Sequence, residues 1–370
     1  MFVSRSRWLT THFAPLQIRF VHQYRPNTQY TPRDKRKQED IPIEFQRERI
    51  ARHPFKHMYP WKTLSEFTDH LEENIIYNDG KLIAINKPWG VGIHKTNTVI
   101  TEKTNYRTFS EDFGDPKFCV SNALDLLCER LLIQRLRFAK TVDRYQSGVM
   151  LLAADDKTLA TVKAIGPRMK ARKEPHMTFW CICKGFPLEQ SYEERVGVEM
   201  IEIDELGDYK EPEISISLGK NKRVRQEQIP ATVRVETLDI NKHLSTSLLE
   251  IQSTITKWSF IQVYAAQKTT FILGDVRFSK RVRQLLGVPL LLSPRNINAY
   301  DTFEPLATRV RNRLDVGRNS NIPLLLHARK LVIPKYNGKD LELVCDPPEY
   351  FGWALNRLDL LPDRRKFKDN

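Results

Sequence analysis

Asp143 is an acidic residue whose position in the sequence would suit a catalytic carboxylate. Asp143 lies in a polar loop that runs directly into residues 148–154, an apolar segment expected to form a buried strand. A carboxylate on such a rigid mount can act as a base or as a nucleophile. From its neighbours alone a second interpretation stays open, in which Asp143 is a surface residue that pairs with Lys140 or Arg144.

The cysteines do not suggest a metal site. Five are scattered along the chain, and only Cys181 and Cys183 are close together. A C-x-C pair on a strand puts both sulfurs on one face, but no second Cys or His pair at zinc spacing accompanies it. We therefore expect a packed pair of core thiols, no bound metal and a reducing compartment.

Composition narrows the class of protein. The chain has 370 residues, of which 41% are hydrophobic and 28% charged, so it can bury a real core and is not collagenous, mucin-like or wholly disordered. No apolar run reaches the roughly 18 residues of a membrane span. The net charge of +14 favours a polyanionic partner, nucleic acid or an anionic membrane surface. The alternative is a basic composition without a specific ligand.

The first segment has the composition of a targeting sequence. Residues 1–33 contain five arginines and no acidic residue, with apolar residues between the arginines. This pattern is typical of a mitochondrial transit peptide, although a disordered basic arm that binds RNA is the alternative. Residues 1–25 are thus predicted to be the transit peptide, and residues 26–70 a basic, proline-dotted, flexible linker. Without residues 1–33 the net charge falls from +14 to +9, so the mature protein stays basic.

The elements that would position Asp143 are mixed. Hydrophobic patterns predict strands over residues 74–77, 82–85, 148–154, 177–183, 231–238, 247–255, 260–265, 324–333 and 341–344. They predict helices over residues 64–71, 123–136, 157–170 with an interruption at Gly166–Pro167, 281–286 and 308–314. Residues 188–230 are expected to be a polar connection. Since no strict βαβ rhythm appears, we predict an α+β fold with a largely antiparallel mixed sheet flanked by helices.

Five segments together resemble one family, the RluA-type pseudouridine synthases, which isomerise uridine in RNA. The blocks follow in the family's order: 76–94 with N-K-P-W-G, 140–153 with D-R-Y-Q-S-G, 179–187, 255–275 ending in I-L-G-D, and 326–348 with L-H-A. The resemblance covers residues 75–351 and implies the pseudouridine synthase fold with a central RNA-binding cleft. Residues 71–355 are therefore predicted to be the catalytic domain and residues 356–370 a basic tail. No S4-type RNA-binding module is evident before residue 75.

The resemblance also implies roles for individual residues. Asp143 matches the family's catalytic aspartate, which works without a metal or cofactor. Phe179 occupies the position of a tyrosine that stacks near the flipped base, and Gln262 that of a basic residue paired with the aspartate. Lys257 keeps the charge of a family arginine. Lys140 and Thr141 replace a histidine and an arginine, and Arg144 could supply charge nearby.

Two functions follow from this pattern of matches and departures. The first is isomerisation of uridine in mitochondrial RNA, with messenger RNA or large-subunit ribosomal RNA as expected substrates. The second is a weakly active or inactive RNA-binding factor on the same fold, which acts in mitochondrial RNA processing or ribosome assembly. Both imply RNA as partner, other RNA-processing proteins as candidate partners, and the mitochondrial matrix as location.

A reporter tests the targeting prediction. Residues 1–40 fused to a fluorescent protein should bring it to the mitochondrial matrix, because an acid-free, arginine-rich amphipathic segment is what the import machinery accepts. The same fusion with Arg5, Arg7 and Arg19 changed to Glu should stay in the cytosol. A cytosolic or nuclear location of the unchanged fusion would contradict the prediction.

Overall fold

Strands and helices alternate irregularly along the chain. In the computed structural model the described residues are 53–56, 58–95, 113, 116–203, 210–297, 306–317 and 320–362. The strands are β1 Ile75–Asn78, β2 Leu82–Lys87, β3 Arg137–Lys140, β4 Ser147–Ala153, β5 Met177–Lys184, β6 Ser191–Glu202, β7 Lys210–Ser215, β8 Gln228–Asn241, β9 Thr246–Ser253, β10 Phe271–Ile272, β11 Val282–Leu285, β12 Val288–Leu291, β13 Leu326–Tyr336 and β14 Lys339–Val344. The α-helices are α1 Leu64–Glu73, α2 Val120–Arg130, α3 Asp156–Arg172, α4 Lys220–Val224, α5 Phe260–Gln267, α6 Thr308–Arg313 and α7 Glu349–Arg357.

Twelve of these strands form one sheet. Its order is β1-β2-β4-β13-β5-β9-β8-β6-β7, with β3 added to β4, β10 to β5 and β14 to β13. Strands β4 and β13 pair in parallel through His327 and Ser147, whereas the other pairs in this sheet are antiparallel. Strands β11 and β12 form a separate hairpin. The predicted α+β class with a largely antiparallel mixed sheet is confirmed.

Alternation of side chains along the central strands explains why helices cover both faces. In β2, Ile83 and Ile85 pack with α1 and α2, while Leu82 and Ala84 belong to the cluster that contains α3 and α5. Successive side chains of a strand point to opposite faces, so a strand buried on both sides is apolar throughout. Strand β4 is buried along its whole length for this reason.

Three local predictions were wrong. Helix α3 continues through Pro167, because the missing backbone N–H removes one hydrogen bond while Val162, Ile165 and Met169 stay buried on one face. Residues 260–265 form helix α5 rather than a strand, since a short, fully buried apolar run has no diagnostic period. Residues 281–286 are the first half of the β11–β12 hairpin rather than a helix.

The expected polar connection, residues 188–230, also contains secondary structure. It holds β6, β7 and α4, of which the two strands form one border of the large sheet. The first half of β6 alternates between exposed and half-buried positions. Charged side chains on an edge strand protect it from pairing with other chains, and they also hide its strand character in the sequence.

The body extends beyond the predicted domain boundaries. Phe55, Trp61 and Phe67 fall in the segment expected to be a flexible linker, yet each is at most 6% exposed. Leu358 and Leu360, in the expected tail, are fully buried. These few apolar side chains anchor segments whose overall composition is polar. The expected transit peptide, residues 1–25, lies outside the described residues. Within the described part of the chain, no helix is long and apolar enough to cross a membrane.

A buried histidine at the centre of the sheet should make folding sensitive to acid. His327 is fully buried, where Nδ1 lies 3.0 Å from the Ser147 hydroxyl and Nε2 donates to the Cys345 carbonyl at 3.2 Å. Burial lowers the pKa of His327 to about 4 from the ordinary 6.5. Between these values the unfolded chain binds more protons than the native one, so the free energy of unfolding falls as the pH falls, by up to roughly 3 kcal/mol.

We predict that His327→Asn flattens this dependence. Urea unfolding of the wild type between pH 7 and pH 4.5 should show a steeper loss of stability than the variant shows. The comparison uses the slope with pH, because loss of the two hydrogen bonds lowers the stability of His327→Asn at every pH. Parallel curves would mean that His327 does not stay neutral in the native state.

Candidate active site

The loop that carries Asp143 is held between two paired strands. It joins β3 to β4, and the Gln146 amide donates to the Asp143 carbonyl at 3.1 Å, which closes a tight turn. Gly148 follows with a φ of +122°, and a Cβ atom there would lie 2.3 Å from the Ala328 carbonyl oxygen. Only glycine combines this backbone conformation with so close an approach of β13. The turn is therefore fixed against the middle of the sheet.

A buried lysine ties this loop to the end of β2. Lys87 is fully buried, and its Nζ donates to the carbonyls of Pro88 and Val91, each at 2.9 Å, and of Arg144 at 3.2 Å. Three acceptors satisfy the three donors of an ammonium group. Antiparallel pairing of β2 with β4 places Lys87 opposite Gly148, so the sheet brings this group to the Asp143 loop.

A second pair of hydrogen bonds joins the same two loops. The Gly90 amide donates to the Arg144 carbonyl at 2.8 Å, and Arg144 Nε donates to the Gly90 carbonyl at 2.9 Å. The Arg144 guanidinium also lies 5.4 Å from the centre of the Tyr145 ring. Arg144 thus has a structural role beside whatever charge it lends to a ligand.

Asp143 lies at a cleft with a volume of about 220 Å³. The other lining residues come from the same turn, the start of α5, the segment after β10 and the approach to β13: Tyr145, Gln146, Ser259, Gln262, Gly274, Asp275, Val276 and Leu324. This volume is below the ~300–1,000 Å³ of common small-molecule pockets, so it suits a single ring-sized group.

Backbone strain marks the entry to α5 at the same cleft. Trp258 and Ser259 have φ values of 59° and 52°, a left-handed conformation that is unfavourable for residues other than glycine. Such strain persists where surrounding structure enforces it, and it clusters at functional sites. Here it starts the helix so that Ser259 and Gln262 both reach the cleft.

Burial and two lysines determine the ionisation of Asp143. Burial raises the pKa of the Asp143 carboxyl, and the positive charges of Lys87 and Lys140 oppose this effect. Burial likewise lowers the pKa of Lys87 to about 7, although the charge of Asp143 counteracts it. The pKa of Lys140 is lowered by burial and by the charge of Lys257, and raised by Asp143. Asp143 is nevertheless an exposed residue, and the two lysines supply opposite charge that favours its ionised form.

The structure brings some of the sequence-predicted site residues together and keeps others apart. Asp143 and Gln262 line one cleft, and Lys140 acts electrostatically on Asp143. Lys257 influences Lys140 but does not appear among the charges that act on Asp143. Phe179 is 1% exposed in the core cluster of β5 and does not line the cleft in the described residues.

Sequence reasoning gave no role to two residues that matter here, Lys87 and Asp275. Lys87 is the last residue of an apolar strand. A lysine at the end of an apolar strand could have indicated a buried charge. Asp275 lines the cleft and is 6% exposed. In the sequence, Asp275 could be noticed only as the last residue of the I-L-G-D motif. The fold is what brings this motif to the same cleft as Asp143. Within the described ranges no three His, Cys, Asp or Glu side chains form a group that could hold a metal ion.

Comparison with a solved structure identifies the fold. The solved structure of human RNA pseudouridylate synthase domain containing 4 superposes with a TM-score of 0.56 at 20% identity, and the match covers 80% of this chain and 97% of that one. The fold is therefore that of the pseudouridine synthases.

Named homologues agree with this class. The chain is 25% identical over 309 residues to the mitochondrial pseudouridylate synthase RPUSD4 of Bos taurus, over 80% of this chain and 71% of the relative. It is 23% identical over 322 residues to the mitochondrial mRNA pseudouridine synthase RPUSD3 of Homo sapiens, over 83% and 82% of the two chains. No family model matches the sequence. The chain is thus a homologue of mitochondrial pseudouridine synthases of the RluA type.

Removal of one lysine tests the electrostatics of the cleft. Lys140→Met should raise the pKa of Asp143, because a charge that stabilises the carboxylate is lost. Carbon-13 NMR titration of labelled aspartate carboxyls measures this directly. Lys257→Met is the matched control, since Lys257 acts on Lys140 and its removal should shift the pKa of Asp143 less. Equal shifts in both variants, or none in either, would contradict the arrangement.

Proposed function

We propose that this chain isomerises uridine to pseudouridine in mitochondrial RNA, with Asp143 as the catalytic carboxylate. The reaction breaks the bond between the sugar C1′ and the base N1, turns the base, and forms a bond from C1′ to C5. A carboxylate can add to the sugar or to the base, or remove a proton from C2′. These routes stay open, and each needs one ionised aspartate beside the flipped-out base.

The observation that supports the proposal is the set of charged and polar side chains at the cleft. Asp143 lines the cleft under the influence of two lysine charges, and in the same cleft the Gln262 Oε1 atom has no hydrogen-bond partner within the described residues. An unpaired buried acceptor is unfavourable, so it favours a ligand that donates a hydrogen bond. Uracil has such a donor in N3–H, and acceptors in O2 and O4 for the Gln262 amide nitrogen.

The substrate follows from charge and from the relatives. The chain has a net charge of +14, which favours phosphate contacts. The RPUSD3 relative is named for mitochondrial mRNA, and the RPUSD4 relative is named as mitochondrial. We propose messenger RNA or large-subunit ribosomal RNA as substrate, and the matrix as location. Of the expected contacts, Lys140 and Arg144 flank Asp143 in the chain, Lys257 acts electrostatically on Lys140, and Phe179 is buried in the core.

A second candidate function rests on the departures from the family pattern. Gln262 stands where the family has a basic residue, and Phe179 replaces a tyrosine hydroxyl. A chain without these groups could retain RNA binding and lose catalysis. It would then act as an RNA-binding factor in RNA processing or ribosome assembly, alongside other proteins of those pathways.

The variant Asp143→Asn separates the two functions. It keeps the size of the side chain but removes the carboxylate, so pseudouridine formation should fall by at least about 10³-fold, the scale of a lost nucleophile or base. RNA affinity should stay within a few-fold, because affinity depends on contacts to phosphates. Pseudouridine mapping of mitochondrial RNA from deletion cells that carry each variant, with filter binding, measures both.

Asp156→Asn is the matched control. Its carboxylate is 91% exposed on α3 and pairs with Arg137, so its loss should leave pseudouridine unchanged. If the wild type forms no pseudouridine and Asp143→Asn rescues the deletion fully, the RNA-binding factor is the correct function.

A further inference from the structure

A second carboxylate shares the cleft with Asp143. Asp275 Oδ1 accepts hydrogen bonds from the amides of Arg277 and Phe278, both at 2.9 Å. Its Oδ2 atom is buried and has no hydrogen-bond partner within the described residues. The side chain is 6% exposed and lines the cleft. One oxygen is thus fixed by the backbone, while the other has no hydrogen-bond partner in the residue that lines the cleft.

The position of Asp275 is rigid. The preceding Gly274 has a φ of +83°, and a Cβ atom there would lie 2.3 Å from the Pro323 carbonyl oxygen. The Leu273 amide donates to the Ile182 carbonyl at 2.9 Å, and its carbonyl accepts from Leu325 at 2.8 Å. These contacts attach the segment to the middle of the sheet, so the carboxylate has little freedom to leave the cleft.

The charges around Asp275 leave it able to exchange a proton. Burial raises its pKa to about 6, against the two amide hydrogen bonds and the charges of Arg277 and Arg281. Both arginines are held by Glu211, at 3.7 Å and 2.6 Å. Cys183 lies nearby as a neutral thiol, since burial raises its pKa. A carboxyl with a pKa near neutrality is effective both as an acceptor and as a donor.

The proposed isomerisation requires such a group. When C1′ bonds to C5, that carbon still carries its hydrogen, which must leave as a proton. The C–H electron pair then restores the double bond between C5 and C6, and the electrons of the ring move to N1, which takes up a proton. The net change is one proton from C5 to N1, without an oxidant or other reactant.

We propose that Asp275 carries this proton: Oδ2 takes it from C5 and returns it to N1. This role rests on the proposed function and adds a second catalytic residue to it. C5 and N1 are both bonded to C6, so one carboxylate at a fixed position can serve both. The step begins and ends with Asp275 ionised.

Other residues of the cleft fit this role less well. Asp143 is assigned to the attack on the sugar or base or to proton removal from C2′, and Gln262 and Ser259 do not exchange protons near neutral pH. Tyr145 carries a hydroxyl at the cleft, but the ring is engaged by the Arg144 guanidinium and packs 5.4 Å from Trp89. Tyr145→Phe therefore serves as the competing variant in the test.

The first experiment compares Asp275→Asn with the wild type on ordinary RNA. The Asn Oδ1 can still accept the two backbone hydrogen bonds, so the melting temperature should change little. Pseudouridine formation should fall by about 10²–10⁴-fold, the range of a lost acid–base group. The rate should also become more sensitive to deuterium at C5 than in the wild type, since removal of that hydrogen becomes limiting.

The second experiment uses RNA with 5-fluorouridine at the target position. Fluorine at C5 leaves no proton to remove, so Asp275→Asn and the wild type should form equal amounts of product with a C1′–C5 bond, while Asp143→Asn forms none. Asp79→Asn is the matched control, because Asp79 Oδ1 also accepts from two amides of a turn, Lys81 and Leu82, away from the cleft. It should leave the chemistry unchanged on both RNAs.

The outcomes distinguish the alternatives. Full activity of Asp275→Asn, or an equal loss on both RNAs, overturns the proposal, because the second result indicates a role in positioning. A C5 isotope effect that appears in Tyr145→Phe instead of Asp275→Asn overturns it in favour of the tyrosine. If the wild type itself forms no product on either RNA, the proposed function fails first and the proton role with it.

Discussion

The site depends on one buried ammonium group. Lys87 Nζ binds carbonyls on both loops that meet beneath Asp143, and its charge opposes the desolvation of that carboxylate. A buried charge is unfavourable without partners, and here three carbonyls and the charge of Asp143 all favour the ammonium form of Lys87. Correct formation of the β2–β4 pair, which sets the position of Lys87, thus places one of the two charges that favour an ionised Asp143.

The arrangement of charge is what gives this site its individual character. With Gln262 at the cleft there is no guanidinium at that position, and the positive charges that act on Asp143 come from Lys87 and Lys140. A lysine ammonium group lies at the end of a flexible side chain, and its pKa shifts readily when it is buried. An arginine guanidinium stays charged. The carboxylate of this chain is therefore balanced by groups that can themselves lose protons, which makes its ionisation more dependent on its surroundings.

Much of the fold could be predicted from the sequence, and the reasons for the failures are specific. Strands β1, β2 and β4 followed from apolar runs, and the α+β class followed from the lack of a βαβ rhythm. The prediction for the α5 segment was wrong because a helix buried on all sides has no helical period of apolar residues. Strand β6 was not predicted because its exposed charged residues made the segment look like a polar connection. For the site, Asp143 was found through the resemblance.

Asp275 and Lys87 show what the sequence could not provide. Their functions depend on contacts with residues far away along the chain. An unsatisfied Oδ2 atom, or an ammonium group shared between three carbonyls, is a property of assembled geometry. Residue type and spacing determine which side chains can do chemistry, but long-range pairing determines which of them meet.

The central place of β13 has a consequence for how the chain becomes active. This strand, Leu326–Tyr336, lies between β4 and β5 in the sheet, although seven strands, β6 to β12, separate it from β5 along the chain. While a chain is still emerging from a ribosome or a translocation channel, β4 and β5 have open edges, and the Gly148 region lacks the neighbour that fixes it. Contacts of such large sequence separation form late and slowly. Maturation of the site is therefore coupled to delivery of the polypeptide as far as β13, and chains that end before it present exposed strand edges.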